Sequence, residues 1–273
     1  MTTPGGPCDT EQIAAVSALV GRRPQYLLWY QDFASAAPAA QLDAAHRWGA
    51  EPVLTWEPWT CTDRGPDTMR RLASGALDDF VHEWVTQLRD WQHPVCLRFA
   101  HEFNGSWYPW SPAGGTTPRD YVATWRRVHA IAAAATNVRW MWCVDAALTH
   151  HNSLTDWYPG DEFVDSFGVD GYNWGTTRPG SSWREAEEIF DAALAQIVGL
   201  ADGRPVLISE VGCAESGGSK PHWITAFVDY VRDQPDVTGF IWFDHDKETD
   251  WRIASTPRSA AAMRSALGGD DER

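Results

Sequence analysis

The chain has 273 residues and carries 22 Lys and Arg against 37 Asp and Glu, a formal net charge of −15. That sign excludes a nucleic-acid partner, whose phosphates need clustered Lys and Arg, and argues against an anionic membrane surface; a neutral polymer fits it. The length suits a single α/β barrel, which commonly reaches about 250 residues, and no linker or long-period repeat divides it.

In chain order, Met1–Pro7 reads as the end of a first strand that is short or truncated, because Asp9–Val20 is already a helical pattern. Apolar runs closing in polar or aromatic residues then recur at Tyr26–Asp32, Pro52–Glu57, Pro94–Glu102, Val138–Asp145, Val164–Asn173, Pro205–Gly212 and Val237–Asp244. Each is the pattern of a strand buried on both faces. Helical patterns lie between them at Met69–Trp91, Pro118–Ala135, Trp183–Leu200 and Pro221–Arg232. Such alternation implies a parallel sheet with right-handed crossovers. The predicted fold is a (β/α)8 TIM barrel, one domain over residues 1–267, followed by a disordered tail at 268–273. A doubly wound open sheet is the alternative, but no early strand is followed by a G-x-G-x-x-G turn.

In such barrels the site is built at the C-terminal ends of the strands. Those ends carry Trp29, Tyr30 and Asp32, then Trp56, Glu57 and Trp59, then Glu102, Asp145, Tyr172 with Trp174, Glu210, and Trp242 with Asp244. Two of these carboxyls stand out. Glu102 emerges among the rings of Arg98-Phe-Ala-His-Glu-Phe-Asn-Gly-Ser-Trp-Tyr-Pro-Trp110, and Glu210 closes Arg204-Pro-Val-Leu-Ile-Ser-Glu before Val-Gly212. A carboxyl pair flanked by aromatic rings suits glycoside hydrolysis, where one acid protonates the leaving oxygen and the other attacks the anomeric carbon or activates water. Strand alternation puts Arg98 on the face of Glu102 and beneath it. The 17 tryptophans are split between packing, as expected at Trp140 and Trp142, and flat surfaces for pyranose rings.

The motifs Arg98-Phe-Ala-His101-Glu102-x-Asn-Gly-x-Trp107-Tyr-x-Trp110, Val169-Asp-Gly-Tyr172-Asn-Trp174-Gly, Ile208-Ser-Glu210-Val-Gly and Trp242-Phe-Asp244 with Asp250-Trp-Arg252 occur in that order over nearly the whole chain. Together they resemble glycoside hydrolase family 26, retaining β-glycanases on (β/α)8 barrels that include β-mannanases and mixed-linkage β-glucanases. The resemblance implies that Glu102 is the acid/base at the end of strand four and Glu210 the nucleophile at the end of strand seven. It also implies that His101 holds the acid/base region, that Trp107 and Trp242 border the sugar, and that Tyr172 hydrogen-bonds the nucleophile. Arg98, Trp56, Glu57, Trp110 and Trp174 complete the expected substrate contacts. The implied activity is retaining endo-hydrolysis of β-1,4-linked mannan-type polysaccharide. The alternatives are a mixed-linkage β-1,3-1,4-glucanase, to whose branch Asn104–Trp110 is also similar, and a carbohydrate-binding barrel without catalysis.

Glu102 needs a raised pKa to donate its proton, supplied by neighbours such as Trp107 and by the charge of Glu210. Glu57 and Asp145 read as sugar ligands or loop-fixing acceptors, and His150-His151 as a loop pair, so no metal and no cofactor are expected. Cys96 and Cys143 fall in strands as buried thiols, while Cys8 and Cys61 are loop candidates for a pair. No cationic leader with an apolar core and no span of about 18 apolar residues is present. A monomer acting on extracellular polysaccharide is the expectation.

Overall fold

The computed structural model describes residues 1–60, 67–148 and 153–268. Seven parallel strands pair in sequence order: β1 (Tyr26–Asp32), β2 (Glu51–Glu57), β3 (Val95–Phe99), β4 (Val138–Asp145), β5 (Ser166–Asn173), β6 (Val206–Cys213) and β7 (Val237–Trp242). Around them run α1 (Thr10–Val20), α2 (Ala39–Trp48), α3 (Asp67–Ser74), α4 (Asp78–Trp91), α5 (Pro118–Ile131), the short α6 (Leu154–Trp157), α7 (Ala186–Ala201), α8 (Lys220–Asp233) and α9 (Pro257–Ala266). The caps are readable in the sequence. Thr117 accepts from the Asp120 amide and Thr256 from the Ser259 amide, each with proline in the first turn.

The helical pattern Met69–Trp91 is two helices, not one. It breaks at Gly75, whose φ of +84° is a left-handed conformation that glycine adopts without the steric cost a Cβ brings. The sequence pattern predicts no separate helix at α2 or α9, because their alanine-rich stretches hold few large apolar residues, Leu42 and Trp48 in one and Met263 in the other.

The hoop closes through the start of the chain. Thr2 pairs in parallel with Phe243; its amide donates to Trp242 O at 2.9 Å and its carbonyl accepts from Asp244 N at 3.2 Å. On the other side, Leu28 N donates to Met1 O at 3.1 Å. Met1–Thr2 therefore stands in the place of a first stave at its upper end, which makes β3 and β6 the fourth and seventh staves. Below it a cavity of about 660 Å³ is lined by Val16, Val20, Tyr26, Phe240, Met263 and Leu267. It lies at the opposite end of the strands from the carboxyls.

Alternation divides the strands into two populations. Leu28, Val53, Cys96, Met141, Cys143, Leu207 and Ile241 form a cluster of their own inside the hoop, with Tyr26 and Tyr30 packed against it. Trp29, Trp56, Trp140, Trp142 and Trp242 fall in the larger core with helix residues such as Val16, Trp84, Trp125 and Trp223, outside it. Most of the tryptophan surface serves this second layer. Among the described residues no helix is long and apolar enough to cross a membrane. Cys61, His150 and His151, and the tail beyond Gly268, lie outside the described residues.

Candidate active site

Arg98 enters the hoop from the middle of β3, fully buried. Its Nη1 donates to Asp170 Oδ2 at 2.5 Å, its Nε to Thr55 Oγ1 at 2.8 Å, and its Nη2 to Glu210 Oε1. Asp170 is held in turn by the Ser209 hydroxyl at 2.6 Å and the Cys143 thiol at 3.2 Å. Consecutive residues of a regular strand face opposite ways, yet Ser209 and Glu210 both reach inward. A register shift makes this possible: Val169 pairs with Ile208 but Asp170 with Glu210, so Ser209 is an extra residue. The bulge aims Glu210 at the cleft while Ser209 stays on Asp170. Tyr172, at the end of β5, donates to Glu210 Oε2 at 2.5 Å. Arg98 thus lies under Glu210, not under Glu102 as strand alternation alone suggests.

That alternation fails because β3 stops at Phe99. Ala100 and Glu102 have φ of +44° and +49°, a left-handed conformation that costs a non-glycine residue about 1–2 kcal/mol. The Glu102 amide still reaches Cys143 O at 3.0 Å, which pins the turned chain to β4. Asn104 adds two bonds to the Asp145 backbone, at 2.8 and 2.9 Å. Glu102 Oε2 accepts from Trp107 Nε1 at 2.7 Å. The indole folds back over Gly105, where a Cβ would stand 2.6 Å from the ring. His101 faces Tyr108 across 3.1 Å, and its carbonyl accepts from Trp110 Nε1 at 2.6 Å.

Burial, followed by the charges of Asp170, Asp145 and Glu210, lifts the Glu102 carboxyl well above the usual range against the pull of Arg98. Burial lifts Asp145 to about 6, opposed by the Ala147 amide, and Glu57 to about 7, opposed by the Trp59 indole N–H. Burial and Arg98 push His101 well down, which leaves it neutral. His101, Asp170 and Glu210 bring one ligand atom each within 4.8 Å of one another, but the cation that already bonds both carboxylates there is Arg98.

The site thus pairs a buried acid after one strand with a second carboxyl, clasped by an arginine and a phenol, on another. Residues 60–237 match the model of glycosyl hydrolase family 26. The chain belongs to that family. It is 34% identical over 252 residues to endoglucanase H of Acetivibrio thermocellus, covering 89% of this chain and 27% of that protein. It is 26% identical over 188 residues to a mannan endo-1,4-β-mannosidase of Bacillus subtilis, covering 66% and 47%. A family 26 structure from a Muricauda species superposes with a TM-score of 0.70 at 19% identity, covering 94% of this chain and 82% of that one. These relatives are longer than the part this chain matches.

Within this family 26 barrel, the expected substrate contacts divide. Glu102, Glu210, His101, Tyr172, Trp107 and Glu57 are gathered at the mouth, with Trp107 53% exposed, while Arg98 lies beneath them, fully buried, and reaches Glu210 from below. Three tryptophans are corrections. Trp56 is shut away from water and stacks on Trp84 of α4 at 4.1 Å, because its neighbours Thr55 and Glu57 take the inward direction. Trp242 faces α8 for the same reason, with its indole edge-on to Trp223 and its Nε1 bonded to Trp251 O at 2.8 Å. The ring at that strand end that faces the cleft side is Phe243, packed on Tyr172 and Trp251. Trp110 is buried behind the cleft, stacked on Tyr108 at 4.3 Å, with its indole N–H bonded to the His101 carbonyl. Trp174 is partly exposed, but the Arg178 guanidinium already lies over its face at 3.7 Å.

Asp170, Tyr108, Asn104, Phe243 and Arg178 were not singled out as site residues. Parity along the strands was the available signal for Asp170 and Phe243; the loop contacts of Tyr108, Asn104 and Arg178 left none.

Proposed function

We propose that this family 26 barrel is a retaining endo-β-glycanase that cuts β-1,4-linked mannan-type polysaccharide by double displacement. The observation that carries the reading is the unequal treatment of two carboxyls. Glu210 accepts from Arg98 and Tyr172, while Glu102 is buried with its proton affinity raised. In the first step Glu210 attacks the anomeric carbon as Glu102 gives its proton to the departing glycosidic oxygen, leaving a glycosyl ester on Glu210. In the second, Glu102, now a carboxylate, takes a proton from water, which displaces Glu210 and restores the original configuration. Arg98 and Tyr172 orient the nucleophile, Trp107 fixes Glu102 and offers its exposed face to the sugar, and Glu57 borders the cleft.

Mixed-linkage β-glucan is the second reading, favoured by the 34% identity to a protein named an endoglucanase. The experiment measures reducing ends released from mannan, mixed-linkage glucan and a uronic-acid polymer, with Glu102→Gln as control. An activated fluorosugar glycoside follows, matched to the polymer that is cut. Cleavage of mannan with the label on Glu210 supports the proposal, and cleavage of the glucan alone moves the assignment to the second reading. Activity on the uronic-acid polymer alone, a label on Glu57 or Asp145, or saccharide binding without cleavage overturns it.

A further inference from the structure

Three phenols surround Glu210, and two of them are occupied. Tyr172 donates to Glu210 and Tyr108 pairs with His101. The third is Tyr30, at the upper end of β1. Its parity with Leu28, which packs inside the hoop, turns its ring inward. The Arg98 guanidinium carbon lies 5.7 Å from its centroid, and the His101 ring 6.1 Å away. The hydroxyl is buried and makes no hydrogen bond of good geometry among the described residues, its contact with the Glu210 carboxylate falling short of one. Leaving such a group unpaired is costly, so a native structure that does so calls for a reason. The charge of Glu210 lies close enough to raise the phenol further, after burial itself. The unpaired hydroxyl therefore sits beside the proposed nucleophile, both of whose oxygens are already taken by other donors.

Resting on the retaining reading above, we propose that Tyr30 is a substrate contact. Its hydroxyl engages the 2-hydroxyl of the sugar whose anomeric carbon Glu210 attacks. That position follows from the connectivity of the sugar. Carbon 2 adjoins the attacked carbon, so its hydroxyl passes next to the nucleophile, and bonds made there strengthen as the ring flattens toward the transition state. A phenol can both donate to and accept from that hydroxyl. A cleft built to pair with a hydroxyl discriminates strongly against a ring that lacks it.

The test uses 2,4-dinitrophenyl β-disaccharides of the cleaved polymer's sugar, with and without the 2-hydroxyl on the ring bearing the aryl group, and compares wild type with Tyr30→Phe. Loss of the 2-hydroxyl should lower kcat/KM of wild type by about tenfold or more, and by no more than about twofold in the variant. Tyr30→Phe keeps the ring over Arg98 and should keep nearly the wild-type Tm, because the hydroxyl it removes makes no well-formed hydrogen bond in the protein. Additive losses, or equal losses on both glycosides with a fall in Tm, overturn the inference by giving Tyr30 a purely structural role. A wild type inert toward the parent glycosides and toward every polymer overturns the retaining reading, and this inference with it.

Discussion

The ion pair between Arg98 and Glu210 is sealed inside the hoop, with 0% and 6% of the two side chains exposed. Because the same guanidinium also holds Asp170, which is wholly buried, the three residues form one charged unit. Replacing Arg98 by Leu strands two carboxylates in the barrel, and breaking a buried pair in this way costs about 3–5 kcal/mol. Urea unfolding should show that loss, with turnover reduced as well. Arg98→Lys keeps the charge but not the planar fork and should recover only part of either property. A Leu variant as stable as wild type contradicts this account.

Trp107 and Trp242 should respond in opposite ways. Trp107 is exposed and bonds Glu102, so Trp107→Ala should lower kcat/KM by about 10–100-fold while leaving Tm nearly unchanged. Trp242 is 2% exposed, and Trp242→Ala should cost about 3–5 kcal/mol of stability. A Trp242 variant with wild-type Tm and a raised KM would return that residue to the sugar.

The pH profile of kcat/KM should have a basic limb set by loss of the Glu102 proton. Asp145, itself lifted to about 6 by burial, is one of the groups whose negative charge raises Glu102. Asp145→Asn removes the charge, so the basic limb should move to lower pH. A limb that stays in place or moves up shows that Asp145 does not act on Glu102.

Glu57 makes a prediction about stability. Burial raises its carboxyl from 4.5 to about 7, so its contribution is fully present below 4.5 and is lost as pH rises through 7. Glu57→Gln cannot ionise. Its advantage over wild type should grow from near zero at about pH 4 to about 1–2 kcal/mol at about pH 8, allowing for partial exposure. Parallel stability curves would show that folding leaves the Glu57 carboxyl unshifted.

The barrel was legible because each buried strand announces itself as an apolar run, and because the strand ends collect the polar residues. Glu102 and Glu210 were legible for the same reason. The tryptophans misled where type was read without parity: Trp56 and Glu57 are neighbours on one strand, so only one of them can face the mouth. What parity misses is irregular backbone. The left-handed Ala100 and Glu102 and the extra residue Ser209 re-aim both carboxyls, and nothing in the local composition marks those positions. The Gly75 break inside an otherwise continuous helical pattern is the milder case, since glycine in a helix is often tolerated.

The ring of Phe243 ties the last strand to the chemistry of the cleft. Its own amide donates to Val211 O at 2.8 Å, and its ring packs edge-on against Tyr172, which grips Glu210. The aim of the proposed nucleophile is thus set by three neighbouring strands at once, so a substitution on β7 that never touches the sugar can still misplace the group that attacks it.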